Sequence, residues 1–520
     1  MMLLHDFLDF QARDYPDLDF AIFGDRTMSY DEALLLTNRV GNALVGLGLE
    51  KGDRVAYLSK NSIEYPIFMI GASRAGVAPV PLNYRLAPPE WKYIIDDSAA
   101  KVLIVSPEYV DDVNAIRDQL TTVEHYIVVD HKPADGFEAF YPWIQSHADT
   151  PPEREVFPDD DLYQMYTSGT TGKPKGAVLT HCAVTMHIHQ LRYRRNREPG
   201  ERNLIVAPMY HTAAATTAWV TISAAGTLCI KEGFDPVDVV RELSEGDIVH
   251  VTLVPAMIQA CLVAVPDAGE RSYDKLKTIS YGASPIAEDT LRKAMDVFKC
   301  EFWQGYGMTE TTAVLAQLSH DDHLRALAGN PHLLLAAGRP ILGTKVKIVD
   351  ENGDEVPPGT VGEICGRGPQ IMSGYWNLPE ETEKALKGGW MHTGDAGRMD
   401  EEGYIYIEDR VKDMIISGGE NVYPREIENC IFQHEAVADC AVIGTPSEKW
   451  GESIHAVIAL KQDKQLSPDE IIEFCRERIA HFKCPKSVEF IDELPRNASG
   501  KVLKRELREK HWGGQNRAVS

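Results

Sequence analysis

At 520 residues the chain exceeds what one hydrophobic core usually supports, so roughly two to four domains are expected. Apolar residues make up 44% and charged residues 25%, the composition of a folded rather than a disordered chain. A formal charge of -25 excludes sequence-independent binding to nucleic acid, which needs a basic surface to displace counterions.

The opening "MMLLHDFLDFQARDY" has an apolar run broken by Asp6 and Asp9, with no basic start or small-residue cleavage site, and does not read as a signal peptide. "SYDEALLLTNRVGNALVGLG" follows as a helix with Ser29 as its cap, and "DRVAYLS", "KVLIVS" and "HYIVVD" read as short strands. "DLYQMY" is another strand, leading into the glycine loop "TSGTTGKPKG". After the short run "AVLT" comes a helix with Val184, His187, Ile188 and Leu191 on one face.

Next, "RYRRNREPGER" places five arginines between Arg192 and Arg202. Two readings stay open: a solvated helix end, or a patch that gathers acidic ligands or touches an anionic membrane surface. From Leu204 to Ile230 the chain has no Asp, Glu, Lys or Arg, but its threonines, Pro208, His211 and Gly226 favour strand, loop and buried helix over a membrane span. "NLIVAP", "IVHVTLVP" and "LKTISYGAS" are apolar strands ending in small-residue turns, where parallel α/β sheets place ligands.

Near residue 400 the texture changes to acidic turns, a hairpin and a second glycine loop. The domain boundary is expected near Arg410, and the last 110 residues read α-β-β-α-β-α. One of these helices starts at "SPDE", with Ser467 as cap and Glu470 closing a capping box. Nine scattered cysteines without a C-x-x-C pair read as buried thiols in a reducing, cytoplasmic setting.

The glycine loop narrows the chemistry. Gly169 and Gly172 are two residues apart and Pro174 stands where a Walker-type loop needs a hydroxyl, so that loop is excluded. No G-x-G-x-x-G follows a strand, which leaves a dinucleotide fold unsupported. What remains is a run of backbone N–H groups and hydroxyls (Thr167, Ser168, Thr170, Thr171) with the cations Lys173 and Lys175, suited to holding a polyphosphate.

"YTSGTTGKPKG" (Tyr166 to Gly176), "YGMTE" (Tyr306 to Glu310), "HTGD" (His392 to Asp395), "DRVKDMIISGGENVYPREIE" (Asp409 to Glu428) and "LPRNASGKVLKREL" (Leu494 to Leu507) together resemble the adenylate-forming superfamily. That superfamily comprises acyl-CoA synthetases, aryl-CoA ligases, luciferases and nonribosomal adenylation domains. The resemblance implies a large α/β N-terminal domain with mostly parallel sheets and a β-barrel-like part over residues 1–409. It also implies a hinge at 410–414 and a small mobile α+β domain over 415–520. It implies attack of a carboxylate on the α-phosphorus of ATP, release of diphosphate, and acyl transfer to a thiol.

The same resemblance assigns residues. Thr167 to Lys175 would hold the β and γ phosphates. Glu310 would bind Mg²⁺ and Thr309 the α-phosphate. Gly282, Ala283, Ser284, Gln304, Gly305, Tyr306 and Gly307 would form the adenine slot. Asp395 would accept both ribose hydroxyls with support from Arg410. Lys501 would bridge carboxylate and α-phosphate, Lys412 would be the hinge, and Ser417, Gly418, Gly419 and Glu420 would line the coenzyme A passage. His211 would gate the acyl site, beside Thr212, Thr216, Trp219, Gly282, Gly305, Met308 and Thr311.

No carrier-domain segment follows, so free coenzyme A is the expected acceptor, with a carrier protein supplied in trans as the alternative. An amino-acid substrate would need a buried carboxylate facing its ammonium, and none lies in Leu204 to Ile230. The expected substrate is therefore an aliphatic acid, with aryl acids of the coumarate or benzoate type second. Monomer and homodimer both stay open.

Overall fold

The computed structural model describes residues 2–167, 173–283, 286, 288–410, 413–417, 420–447, 450–496 and 502–512. The chain separates into two compact units. One comprises Met1–Leu334, Gly338–Lys345 and Gly366–Met391; the other comprises Leu335–Ala337, Val346–Cys365 and His392–Ser520.

Two parallel sheets dominate the first unit. In the larger, strands Arg202–Ile205, Ile248–Leu253, Thr278–Gly282 and Glu301–Tyr306 run side by side and parallel. Antiparallel strands at residues 316–318 and 339–340 extend one edge; on the other side Thr227–Ile230 and then residues 19–23 continue the sheet in parallel, and the antiparallel strand 26–29 closes it. The second sheet pairs Ala78–Leu82, Arg54–Leu58, Val102–Val105, His125–Val128 and Glu138–Ala139 in parallel throughout. Strands buried on both faces account for continuous apolar runs such as "VLIV".

Local signals set the helix starts. Ser29 accepts from the Glu32 N–H while the Glu32 carboxylate takes the Ser29 N–H, a closed capping box at the head of Tyr30–Gly46. The segment Leu204 to Ile230 resolves into strand, turn, the helix Thr212–Ile222 and strand Thr227–Ile230. No helix among the described residues is long and apolar enough to cross a membrane.

The glycine loop sits in a different context from the strand-to-helix turn that the sequence implies. "AVLT" belongs to strand Lys175–Thr180, which pairs antiparallel with Asp161–Thr167 and with Gly374–Tyr375 in a three-stranded sheet. Residues 168–174 therefore bridge two adjacent strands of a hairpin.

The second unit carries a four-stranded sheet made by residues 345–349, 362–367, 391–399 and 405–410, whose last two strands are antiparallel. It also carries the expected α-β-β-α-β-α run: helix Pro424–Phe432, strands Val437–Ser447 and Gly451–Leu460, helix Pro468–Arg476, strand Ser487–Phe490 and helix Lys504–Trp512. Ser467 and Glu470 close the capping box at Pro468. A short hairpin, Ile415–Ser417 with Glu420–Val422, joins a separate sheet with strands Val437–Ser447 and Gly451–Leu460.

Candidate functional site

The hairpin fixes the base of the candidate phosphate loop. Thr167 and Lys175 are paired residues on its two strands. The Lys175 ammonium lies 5.2 Å from the Tyr375 ring centre and binds Glu381, whose carboxyl is held down to about 2 by Lys175 and Lys384. Lys173 is exposed, 5.3 Å from the Tyr93 ring centre. Ser168, Gly169, Thr170, Thr171 and Gly172 lie outside the described residues.

At the carboxyl ends of the parallel strands, backbone rather than side chain sets the geometry. A Cβ at Gly282 would stand 2.3 Å from the Gly305 carbonyl oxygen, and one at Gly307 2.3 Å from that of Ala313. Only glycine permits so close an approach of neighbouring strands. Ala283 follows with φ 66°, in the left-handed region that ordinary side chains rarely adopt. Gln304 accepts from the Tyr281 hydroxyl at 3.3 Å, and Tyr306 is 9% exposed. Ser284 lies outside the described residues.

Beyond Tyr306 the chain makes one tight turn, Thr309–Thr311, closed by the Thr311 hydroxyl, which accepts from the Met308 N–H and donates to the Met308 carbonyl. The turn carries Glu310 inward to 4% exposure, where the Tyr375 hydroxyl donates to Glu310 Oε1 at 2.7 Å. Such a buried carboxylate needs a donor or a cation. Tyr375 was not among the residues expected from sequence, and its 65-position separation from Glu310 leaves no local signal for it.

His211 is the cap residue of helix Thr212–Ile222, its ring 4.3 Å from that of Tyr210. On this helix the Thr216 hydroxyl donates to the Thr312 carbonyl at 3.2 Å, linking the helix to the Glu310 turn. Thr212 is buried near the helix start. Trp219, on the same helix, is 1% exposed and belongs to the apolar core with Leu8, Phe68, Tyr163 and Met372, against which Met308 also packs.

The arginine segment is only partly turned to solvent. Arg192 donates to the Ser223 carbonyl and Arg202 to that of Gly246. Arg197 is 9% exposed and Arg195 is packed over Trp303, 4.8 Å from its ring centre, which leaves Arg194 as the exposed arginine of the five.

In the second unit, Asp395 is 7% exposed on strand Met391–Met399 and is paired in register with Arg410. The Thr393 hydroxyl accepts from the Asp395 N–H at 3.1 Å and donates to the Ile364 carbonyl at 2.7 Å, fixing the backbone there. His392 meets Glu363 at 2.7 Å. Ser417 is 8% exposed and opposes Glu420 across the short hairpin. Lys412, Gly418, Gly419 and Lys501 lie outside the described residues.

The chain as a whole is similar to known proteins. Residues 8–376 match the AMP-binding enzyme family, and residues 426–501 match the AMP-binding enzyme C-terminal domain. The chain is 38% identical over 523 residues to a fatty acid–[acyl-carrier-protein] ligase of Streptomyces coeruleorubidus, covering 98% of this chain and 97% of that protein. It is 37% identical to a feruloyl-CoA synthase of an Amycolatopsis species, covering 96% and 97%. The crystal structure of ATP-bound MatB from Rhodopseudomonas palustris superposes with a TM-score of 0.88 at 30% identity, covering 98% of this chain and 99% of that one. The chain belongs to the AMP-binding family of adenylate-forming enzymes.

Proposed function

We propose that the protein is an ATP-dependent acyl-CoA synthetase, converting a carboxylic acid, ATP and coenzyme A into acyl-CoA, AMP and diphosphate through an acyl-adenylate. The observation that carries this reading is the Glu310 turn: a buried carboxylate anchored by Tyr375, next to glycine-lined strand ends and in the same unit as the hairpin loop.

Mg²⁺ fits this turn. Among the described residues one Glu310 oxygen is engaged by Tyr375, which leaves the other as the hard oxygen donor this ion prefers. Bound there with phosphate oxygens, the ion would neutralise charge developing on the phosphates. The protein's own groups do the rest. Lys173, Lys175 and the loop N–H groups hold the departing diphosphate, Thr309 the α-phosphate, and Asp395 with Arg410 the ribose. His211 shapes the acyl entrance, and Lys501 stabilises charge as the acyl–phosphate bond forms. Because Lys501 follows the hinge at Lys412, domain rotation serves the two half-reactions in turn, with Ser417 to Glu420 facing coenzyme A in the second.

A 38%-identical relative named as a fatty acid–[acyl-carrier-protein] ligase supports a second reading, with a carrier protein as acceptor. Both fatty and aryl acids are named among the relatives. The nine free cysteines, most of them buried, support a reducing, cytoplasmic setting. A diphosphate-release screen over aliphatic and aromatic acids, with and without coenzyme A, tests the proposal. Acyl-CoA and AMP should appear together in a one-to-one ratio. Acyl-AMP that accumulates and ignores coenzyme A would refute the synthetase reading and favour the carrier-loading one.

A further inference from the structure

Among the described residues, metal-ligating side chains gather in two places: Glu363 with Cys365 and His392, and His455 with Glu489 and His511. The first group is satisfied within itself. His392 Nδ1 meets Glu363 Oε2 at 2.7 Å, and the other Glu363 oxygen accepts from the Gly394 N–H at 3.0 Å. The second group is not.

His455 stands in strand Gly451–Leu460, paired with Ile443 on one neighbouring strand and with Ser487 on the other. It is 6% exposed, and its Nδ1 lies 2.7 Å from Ser487 Oγ. Two residues along, Val457 pairs with Glu489, so strand alternation puts Glu489 on the same face as His455. Helix Lys504–Trp512 packs on that face. Leu507 joins a buried cluster with Ala441, Ile443, Val457 and Leu494, and the Trp512 indole N–H donates to the Gly444 carbonyl at 2.9 Å. Between these two anchors His511 is brought to His455, with ring centres 4.7 Å apart.

The exceptional atom is His455 Nε2, which is buried without a hydrogen-bond partner among the described residues. It faces Glu489 Oε2 at 3.6 Å, and His511 Nε2 lies 4.0 Å from the same oxygen. Both separations are too long for hydrogen bonds. A buried nitrogen left in this way costs stability. Zn²⁺ held at about 2.0–2.1 Å by each member of a tetrahedral set keeps neighbouring ligand atoms about 3.3–3.4 Å apart. Here all three ligand atoms lie within 4.8 Å of one another. Glu489 is partly and His511 fully exposed, so their side chains can close the remaining gap, while Ser487 holds the His455 ring by its other nitrogen. Such an outer hydrogen bond fixes the orientation and tautomer of a ligating imidazole.

We propose that His455, Glu489 and His511 form a binding site for a transition-metal cation of the Zn²⁺ class, which staples the C-terminal helix to the sheet beneath it. Two imidazoles and a carboxylate suit such an ion, whereas Mg²⁺ takes oxygen ligands. Three protein ligands leave the fourth position to water. The site uses none of the residues assigned to adenylation, and the helix it fastens begins three residues after Lys501.

The test uses the tag-free full chain, stripped with a chelator, then titrated with Zn²⁺ by calorimetry and with Co²⁺ by visible absorption. Expected are one Zn²⁺ per chain, tetrahedral cobalt bands without a thiolate charge-transfer band, and a melting temperature raised by Zn²⁺. E489Q and H511A alter solvent-facing side chains, and each should weaken Zn²⁺ binding at least tenfold and abolish the thermal shift. C365S should bind as the wild type does, and excess Mg²⁺ should not displace the ion. A folded wild-type chain that binds no Zn²⁺ overturns the proposal. So does binding that survives E489Q and H511A, or that is lost in C365S, which would move the ion to Glu363, Cys365 and His392. Circular dichroism checks each fold, and if one of E489Q and H511A fails to fold the other decides.

Discussion

Tyr375→Phe removes one oxygen atom and isolates the best-defined contact of the candidate site. The Tyr375 hydroxyl donates at 2.7 Å to Glu310, which is 4% exposed, so no solvent replaces the lost donor easily. A hydrogen bond to a charged acceptor is worth about 1.5–3 kcal/mol. In a unit this large, with an unfolding entropy of about 2.1 cal/mol/K per residue, that lowers the melting temperature by roughly 2–4 °C. Activity should fall further than stability. Groups that orient a metal ligand typically cost about 10–100-fold when removed. Diphosphate release measured against Mg²⁺ concentration should show that loss, with a higher Mg²⁺ requirement, while circular dichroism reports an intact fold. A variant within about twofold of wild type at every Mg²⁺ concentration would refute the claim that Tyr375 positions Glu310 for the reaction.

Three further outcomes are expected. Gly282→Ala would drive a Cβ to 2.3 Å from the Gly305 carbonyl oxygen. Overpacking of this kind costs about 1–3 kcal/mol, readable as a lower urea midpoint, and an unchanged midpoint would show that the strands can part. Lys501→Ala should abolish adenylation yet spare thioester formation from a supplied acyl-adenylate, a difference read by chromatography of the two products. His187 is fully enclosed, accepting at Nε2 from the Val314 N–H at 3.2 Å and therefore donating from Nδ1 to Gln190, and burial pushes it down to about 4. Its folded value lies below its ordinary one, so its neutral form stabilises the fold above pH 6.5. That contribution is lost as pH falls toward 4, because the unfolded chain then binds the extra proton, at about 1.4 kcal/mol per pH unit. Urea unfolding of His187→Gln should accordingly lose less stability between pH 7 and pH 5 than the wild type does.

What could be read from sequence was local or motif-borne. Ser29 and Ser467 announce their helices because cap and partner lie three residues apart. The small C-terminal elements follow their periodicity, and the strand-end glycines were visible as "YGAS" and "QGYG". The hairpin under the glycine loop was not, because "AVLT" is too short to distinguish a strand pairing backward from a link to the next helix. Tyr375 was invisible for a related reason: its meeting with Glu310 is made by tertiary contact alone. The arginine segment shows composition misleading, since a charge run reads as solvated and only tertiary contact reveals Arg197 as buried and Arg195 as packed over Trp303. Likewise, each strand's apolar tone hid the polar alternate positions at His250, Thr252 and Ser280, which become one surface only when the strands are set in register.

The central claim is that this chain makes an acyl-adenylate, and isotope exchange between diphosphate and ATP tests it most directly. With ATP, Mg²⁺ and a suitable carboxylic acid but no coenzyme A, labelled diphosphate should enter ATP. The exchange should cease when the acid is omitted and should be absent in Lys501→Ala. Exchange that does not depend on an acid, or release of ADP and phosphate in place of AMP and diphosphate, would contradict the account.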